Sequence, residues 1–110
     1  MIIDFNDISE QSIINFKGGQ GELLTRNYID GKCKIMKSCL RPEASSGLHT
    51  HNGNCEIVYI ISGTATFYYD GNEETAKAGQ VHYCPEGHSH YMVNNTDSDL
   101  IYLAIVPEHH

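Results

Sequence analysis

The sequence predicts an all-β chain folded as one antiparallel domain, and three observations carry that reading. Seven short segments are rich in Ile, Val, Thr and Tyr, turn signals recur about every ten residues between them, and helical periodicity is weak throughout. At 110 residues a single domain is the expectation, with a core large enough to fold alone.

The expected strands, in order, are 22–29 (ELLTRNYI), 33–40 (CKIMKSCL), 56–62 (EIVYIIS), 64–70 (TATFYYD), 81–85 (VHYCP), 90–94 (HYMVN) and 100–106 (LIYLAIV). Asp30-Gly31 separates the first two, and Gly63 the third and fourth. Asp70-Gly71, Gly79 and Pro85-Glu86-Gly87 punctuate the middle of the chain, and NNTDSD (94–99) precedes the last strand. Asp-Gly and Asn-Gly are strong hairpin signals because both residues tolerate positive φ. Only DISEQSIINF (7–16) offers a short helical turn. Closing such strands into a barrel removes exposed sheet edges.

Charge excludes several function classes. Seven basic against fourteen acidic residues leave −7, and no basic run relieves it, so neither nucleic acid nor an anionic membrane is an expected partner. No apolar run approaches the roughly 20 residues a membrane span needs. The acidic start, MIIDFNDISE, fits no secretory leader. Cys33, Cys39, Cys55 and Cys84 form no close pair, which fits reduced thiols and a cytoplasmic location better than a disulfide framework. His109 and His110 carry no weight, since a terminal His pair is also what a purification tag leaves.

The segment GLHTHNGNCE (47–56) holds the first candidate site. His49 and His51 share a face if extended. A two-residue loop at Asn52-Gly53 sets His49 opposite Glu56, and a four-residue loop sets His51 there. Either register brings all three side chains to one surface, at about 5 Å between Cβ atoms. Two imidazoles and a carboxylate at that range suit a divalent metal. On this segment alone, a metal triad and a solvated turn stand equal.

GQVHYCPEGHSHYMVN (79–94) adds a second pattern. Gly79, Pro85, Gly87, His90 and Asn94 follow the second motif of the cupin superfamily, and His49, His51, Glu56 and Gly63 follow its first. The chain therefore resembles a small single-domain cupin over roughly residues 42–94. It departs at the glycine that usually stands six residues before the first histidine, where Glu43 follows Pro42.

The resemblance implies a jelly-roll barrel over 1–110, with 1–21 as N-terminal extension and edge strand and 22–106 as barrel. It further implies one divalent transition metal (Mn, Fe, Ni, Co, Cu or Zn) on His49, His51, Glu56 and His90, and a homodimer. Three neutral imidazoles and one carboxylate leave such a centre near +1, with two positions of a six-coordinate ion open to a small anionic or oxygen-rich ligand. Cupins include dioxygenases, isomerases and lyases as well as non-catalytic binding and sensor proteins. The expectation is a metalloenzyme on a small organic substrate, with a metal- or ligand-binding module as the alternative.

Around that centre, Val58 and Ile60 share parity with Glu56, and Met92 with His90, so they are expected to wall the pocket. Met36, Leu40 and Phe67 are further pocket candidates of open facing. His82, Tyr83 and Tyr69 are the candidates for a second titratable group, which acid–base catalysis needs. Asn54 or Tyr83 is the expected partner for a ligand's second ring nitrogen. His88 reads as a surface or supporting histidine, Asn94 as closing backbone bonds at a strand end, and Cys55 as packing.

Overall fold

The structure is a computed structural model that describes residues 1–109; His110 lies outside the described residues. Ten strands form in chain order: β1 (Gln11–Ile14), β2 (Glu22–Ile29), β3 (Cys33–Leu40), β4 (His49–Thr50), β5 (Glu56–Ser62), β6 (Thr64–Tyr69), β7 (Asn72–Lys77), β8 (Val81–Cys84), β9 (Ser89–Val93) and β10 (Leu100–Pro107). Short 3-10 turns occupy Phe5–Asp7 and Phe16–Gly18.

The strands build a jelly roll of two facing antiparallel sheets, six strands ordered β1-β2-β3-β10-β5-β8 and four ordered β4-β9-β6-β7. The chain repeatedly crosses between them: β5 leads to β6 through Gly63, and β8 to β9 through Pro85–His88. Each sheet buries its inner face. On β10, Leu100, Tyr102, Ala104 and Val106 are buried while the residues between them are half-exposed. Val58 and Ile60 from β5 and Phe67 from β6 complete a core that is almost wholly closed to solvent. Leu40, a pocket candidate from sequence, is part of this core, at the end away from the cavity.

Three local expectations change. Residues 7–16 offer a helical turn on paper, but Gln11–Ile14 extends the six-stranded sheet by pairing with β2, since Ile13 gains an inward contact as a strand. β7, NEETAK, shows no apolar alternation because it is a solvent-facing edge that buries only Ala76. It forms because Asp70 and Gly71 both take positive φ, the two-residue turn that clamps β7 to β6. Finally, Asn52-Gly53 does not close a hairpin. β4 joins the four-stranded sheet, where His49 pairs with His90, while Glu56 opens β5 in the other sheet.

Where the cupin pattern has glycine, Glu43 takes φ +65°, the left-handed conformation that glycine adopts freely. Its amide donates to the Asn94 carbonyl at 2.9 Å. Asn94 is fully buried and its side-chain amide donates to the carbonyls of Leu40 and Ser98.

Candidate metal centre

Four side chains from two sheets converge at one point. His49 and His51 arrive from β4 and the residue after it, His90 from β9 opposite, and Glu56 from the start of β5 across the sandwich. His90 Nε2 lies 3.0 Å from both His49 Nε2 and His51 Nε2. Glu56 Oε1 lies 2.9 Å from His90 Nε2, 3.2 Å from His51 Nε2 and 3.7 Å from His49 Nε2.

The other ring nitrogens fix how these imidazoles are protonated. The Gly47 carbonyl can only accept, so His49 Nδ1, 2.8 Å away, carries its proton. His51 Nδ1 donates to Asn54 Oδ1 at 2.7 Å. For His90 the logic runs through a third residue. The Glu74 carboxylate accepts from His82 Nδ1 at 2.6 Å, which leaves His82 Nε2 as an acceptor for His90 Nδ1 at 2.9 Å.

In the neutral tautomers all three Nε2 lone pairs therefore point at the Glu56 carboxylate. Four acceptors with no donor among them repel one another unless a cation or shared protons fill the centre. Six-coordinate ions hold such donors at about 2.1 Å, which spaces neighbouring ligands about 3.0 Å apart. Four of the separations, from 2.9 to 3.2 Å, fit that spacing, and the His49–Glu56 separation of 3.7 Å is wider. These four residues are the group able to hold a divalent metal among the described residues.

Without an ion, protons supply part of the compensation. Burial pushes the Glu56 carboxyl pKa up, but hydrogen bonds from His49, His51 and His90 outweigh it and hold the group well below the usual carboxylate range. The same contact with Glu56 raises His51, against the opposing effect of burial. Burial lowers His82, with the Glu74 hydrogen bond working against it.

A cavity of about 350 Å³ opens over the cluster. Met36, Val58, Phe67 and Met92 line it, together with Thr25, Asn27 and Tyr102. Lys17 and Lys34 also reach it. The remaining sequence candidates lie elsewhere. His82 is buried behind His90, stacked on Phe67 with 3.8 Å between ring centroids. Tyr83 is half-exposed on the outer face of β8, so Asn54 and not Tyr83 supports His51. Tyr69 faces His88, whose Nδ1 also meets Asp70 at 2.5 Å on the surface. Ile60 is buried in the core beyond the cavity. Cys55 and Cys84 are buried free thiols outside the cluster, and burial with the Glu56 charge pushes Cys84 up to about 12.

Sequence reasoning missed Lys17, Lys34, Asn27 and Thr25 as cavity residues. Alternation along β2 and β3 with Met36 inward would have found Lys34, Asn27 and Thr25 once the two strands were paired. Lys17 carried no such signal.

Comparison with known proteins agrees with this fold. A family model described as a cupin domain matches residues 36–106. A protein of Thermotoga maritima named as oxalate-binding is 34% identical over 96% of this chain and 93% of its own length. An oxalate decarboxylase of Bacillus subtilis is 37% identical over 92% of this chain, which spans only 28% of that longer protein. A crystal structure described as a predicted oxalate decarboxylase from Thermotoga maritima superposes with a TM-score of 0.91 at 32% identity, covering 98% of this chain and 99% of that one.

Proposed function

The chain belongs to the cupin domain family, and on that premise we propose that it binds a divalent transition metal through His49, His51, Glu56 and His90 and, at the metal, a small oxygen-rich anion of the dicarboxylate or 2-oxo acid class. The observation that carries this reading is the set of four convergent acceptors, His51 and His90 buried and His49 and Glu56 partly so, aimed at one point. Mn, Fe, Co, Ni, Cu and Zn all suit three imidazoles and a carboxylate.

Charge selects the ligand. The loaded centre would be near +1, and Lys17 and Lys34 add positive charge around a cavity in a chain of net −7. The oxalate-binding relative supports an anionic chelator of this kind. A bound ion supplies Lewis acidity and an anchor for two ligand oxygens.

Binding is favoured over acid–base catalysis. Beyond the four ligands, the titratable residues lining the cavity among the described residues are Lys17, Lys34 and Tyr102. Burial, together with the Glu56 charge, pushes the Tyr102 phenol far above its ordinary range, so it stays protonated near neutral pH and is not available as a general base. An enzymatic reading of the dioxygenase, isomerase or lyase type draws on the decarboxylase relative, and turnover of oxalate would restore it.

We also place a second copy of the chain on the outer face of the six-stranded sheet. Tyr59, Val81 and Tyr83 stand exposed there beside the outward Ile57, Leu103 and Ile105. The four free cysteines suit the reducing cytoplasm in which we place the protein.

The test is elemental analysis of protein purified without chelator or metal-affinity resin, followed by titration with oxalate and measurement of mass in solution. Near one equivalent of metal, lost in His90→Ala, and saturable oxalate binding are expected. Under a tenth of an equivalent, with none taken up on titration, removes the metal reading. A monomer at micromolar concentration removes the dimer.

A further inference from the structure

The ligand that the similar proteins' names suggest, oxalate, would leave most of the cavity unfilled. Oxalate displaces about as much as three or four waters, roughly 100 Å³. The space above the four ligands is about 350 Å³. It is also long. Thr25, Ser38, Tyr102 and Ile60 form one cross-strand row, four residues along β5 from Glu56, or about 13 Å. Thr25 and Tyr102 still line the cavity at that distance.

The wall between the two ends does not call for water. Leu23, Met36, Val58, Met92 and Ala104 supply apolar surface. The polar groups among them are occupied with one another: Thr25 Oγ1 lies 2.7 Å from Ser38 Oγ and donates to Asn27 Oδ1 at 2.5 Å. A cavity with acceptors for a cation at one end, lysines beside them and a satisfied apolar wall beyond fits a ligand with two unlike parts.

Resting on the metal-centred reading above, we propose that the cavity takes a 2-oxo acid with an apolar side chain of about four to seven carbons, its carboxylate and keto oxygens at the metal and its side chain against Met36, Val58 and Met92. The chelating head answers the two open metal positions and the positive charge. The apolar body fills the volume that oxalate leaves. No bond is made or broken in this step; it is recognition.

The experiment holds the head group constant and varies the body. Co(II)-loaded wild-type protein is titrated calorimetrically with pyruvate, 4-methyl-2-oxopentanoate and phenylpyruvate, with the cobalt absorption band reporting engagement of the metal and oxalate as a control. Affinity should rise at least tenfold from pyruvate to 4-methyl-2-oxopentanoate, the three added carbons giving about fiftyfold if fully buried. Ala104→Leu, which thickens the wall between Met36 and Val58, should remove that gain; Met36→Phe does the same if the first variant does not fold. Binding of cobalt and oxalate with no gain along the series overturns this proposal alone. Failure to take up cobalt overturns it together with the metal reading.

Discussion

His82 stands directly behind His90, its Nε2 2.9 Å from the His90 Nδ1 and its own Nδ1 2.6 Å from the Glu74 carboxylate. A histidine that sequence alone offered as a pocket group is instead the middle link of a chain from a half-exposed carboxylate to a buried ligand atom. Its ring is closed off from solvent and lies flat on Phe67, so it holds one orientation.

That arrangement fixes the tautomer of His90 and strengthens its Nε2 as a donor to metal. Metal affinity should fall about 10- to 100-fold in His82→Ala, measured by competition with a chromophoric chelator. Glu74→Gln keeps an acceptor but loses the charge, and should cost less. Unchanged affinity in both variants would show that His90 needs no support from behind.

The metal-free protein should show a bell-shaped contribution from Glu56. Its carboxyl is depressed in the folded state, so its contribution is full above the ordinary glutamate pKa of about 4.3 and is lost as pH falls through the folded value. His51 is raised by the same contact, so its contribution is full below about 6.5 and is lost as pH rises through its folded value. The stability gap between wild type and Glu56→Gln, from urea denaturation of chelator-treated protein, should peak between those limits. A gap that grows steadily with pH contradicts the pairing.

Glu43 carries a side chain at φ +65°. Left-handed backbone costs roughly 1–2 kcal/mol for such a residue, and glycine loses about half of that gain through its freer unfolded chain. Glu43→Gly should stabilise the protein by about 0.5–1 kcal/mol, seen as a midpoint several degrees higher in thermal denaturation. A lower midpoint would mean that the Glu43 side chain contributes more than its backbone costs.

Gly47 is held for a different reason. A Cβ there would lie 1.8 Å from the Lys17 carbonyl oxygen, and its own carbonyl accepts from His49 Nδ1. Gly47→Ala should cost more than about 2 kcal/mol in denaturant unfolding and weaken metal binding as well, because the shift it forces moves the group that orients His49. Full stability would place Lys17 farther from Gly47 than the structure does.

Much of the fold was legible because its inner strands are written in Ile, Val, Leu and Tyr. β2, β3 and β5 begin and end where the sequence placed them. β7 was not, because an edge strand of Asn, Glu and Thr has no buried face to announce it, and its pairing is imposed by the turn before it. At the centre, spacing and motif brought His49, His51, Glu56 and His90 together, but the register that seemed to explain it was wrong. Periodicity says which face a residue takes, not which sheet its strand will join, so the crossing from β4 to β5 was invisible. The facing of His82 was undecided for a related reason: it follows only from its pairing with Val58, a long-range register.

The crossing matters for kinetics as well as geometry. Glu56 belongs to one sheet and the histidines approach from the other, so an ion held between them ties the two layers where no backbone ladder joins them. Local opening of the sandwich would then require the ion to leave first. Amide exchange along β4 and β9, and cleavage by protease near Asn52-Gly53, should slow when metal is added, in step with the stability that binding to the closed state adds.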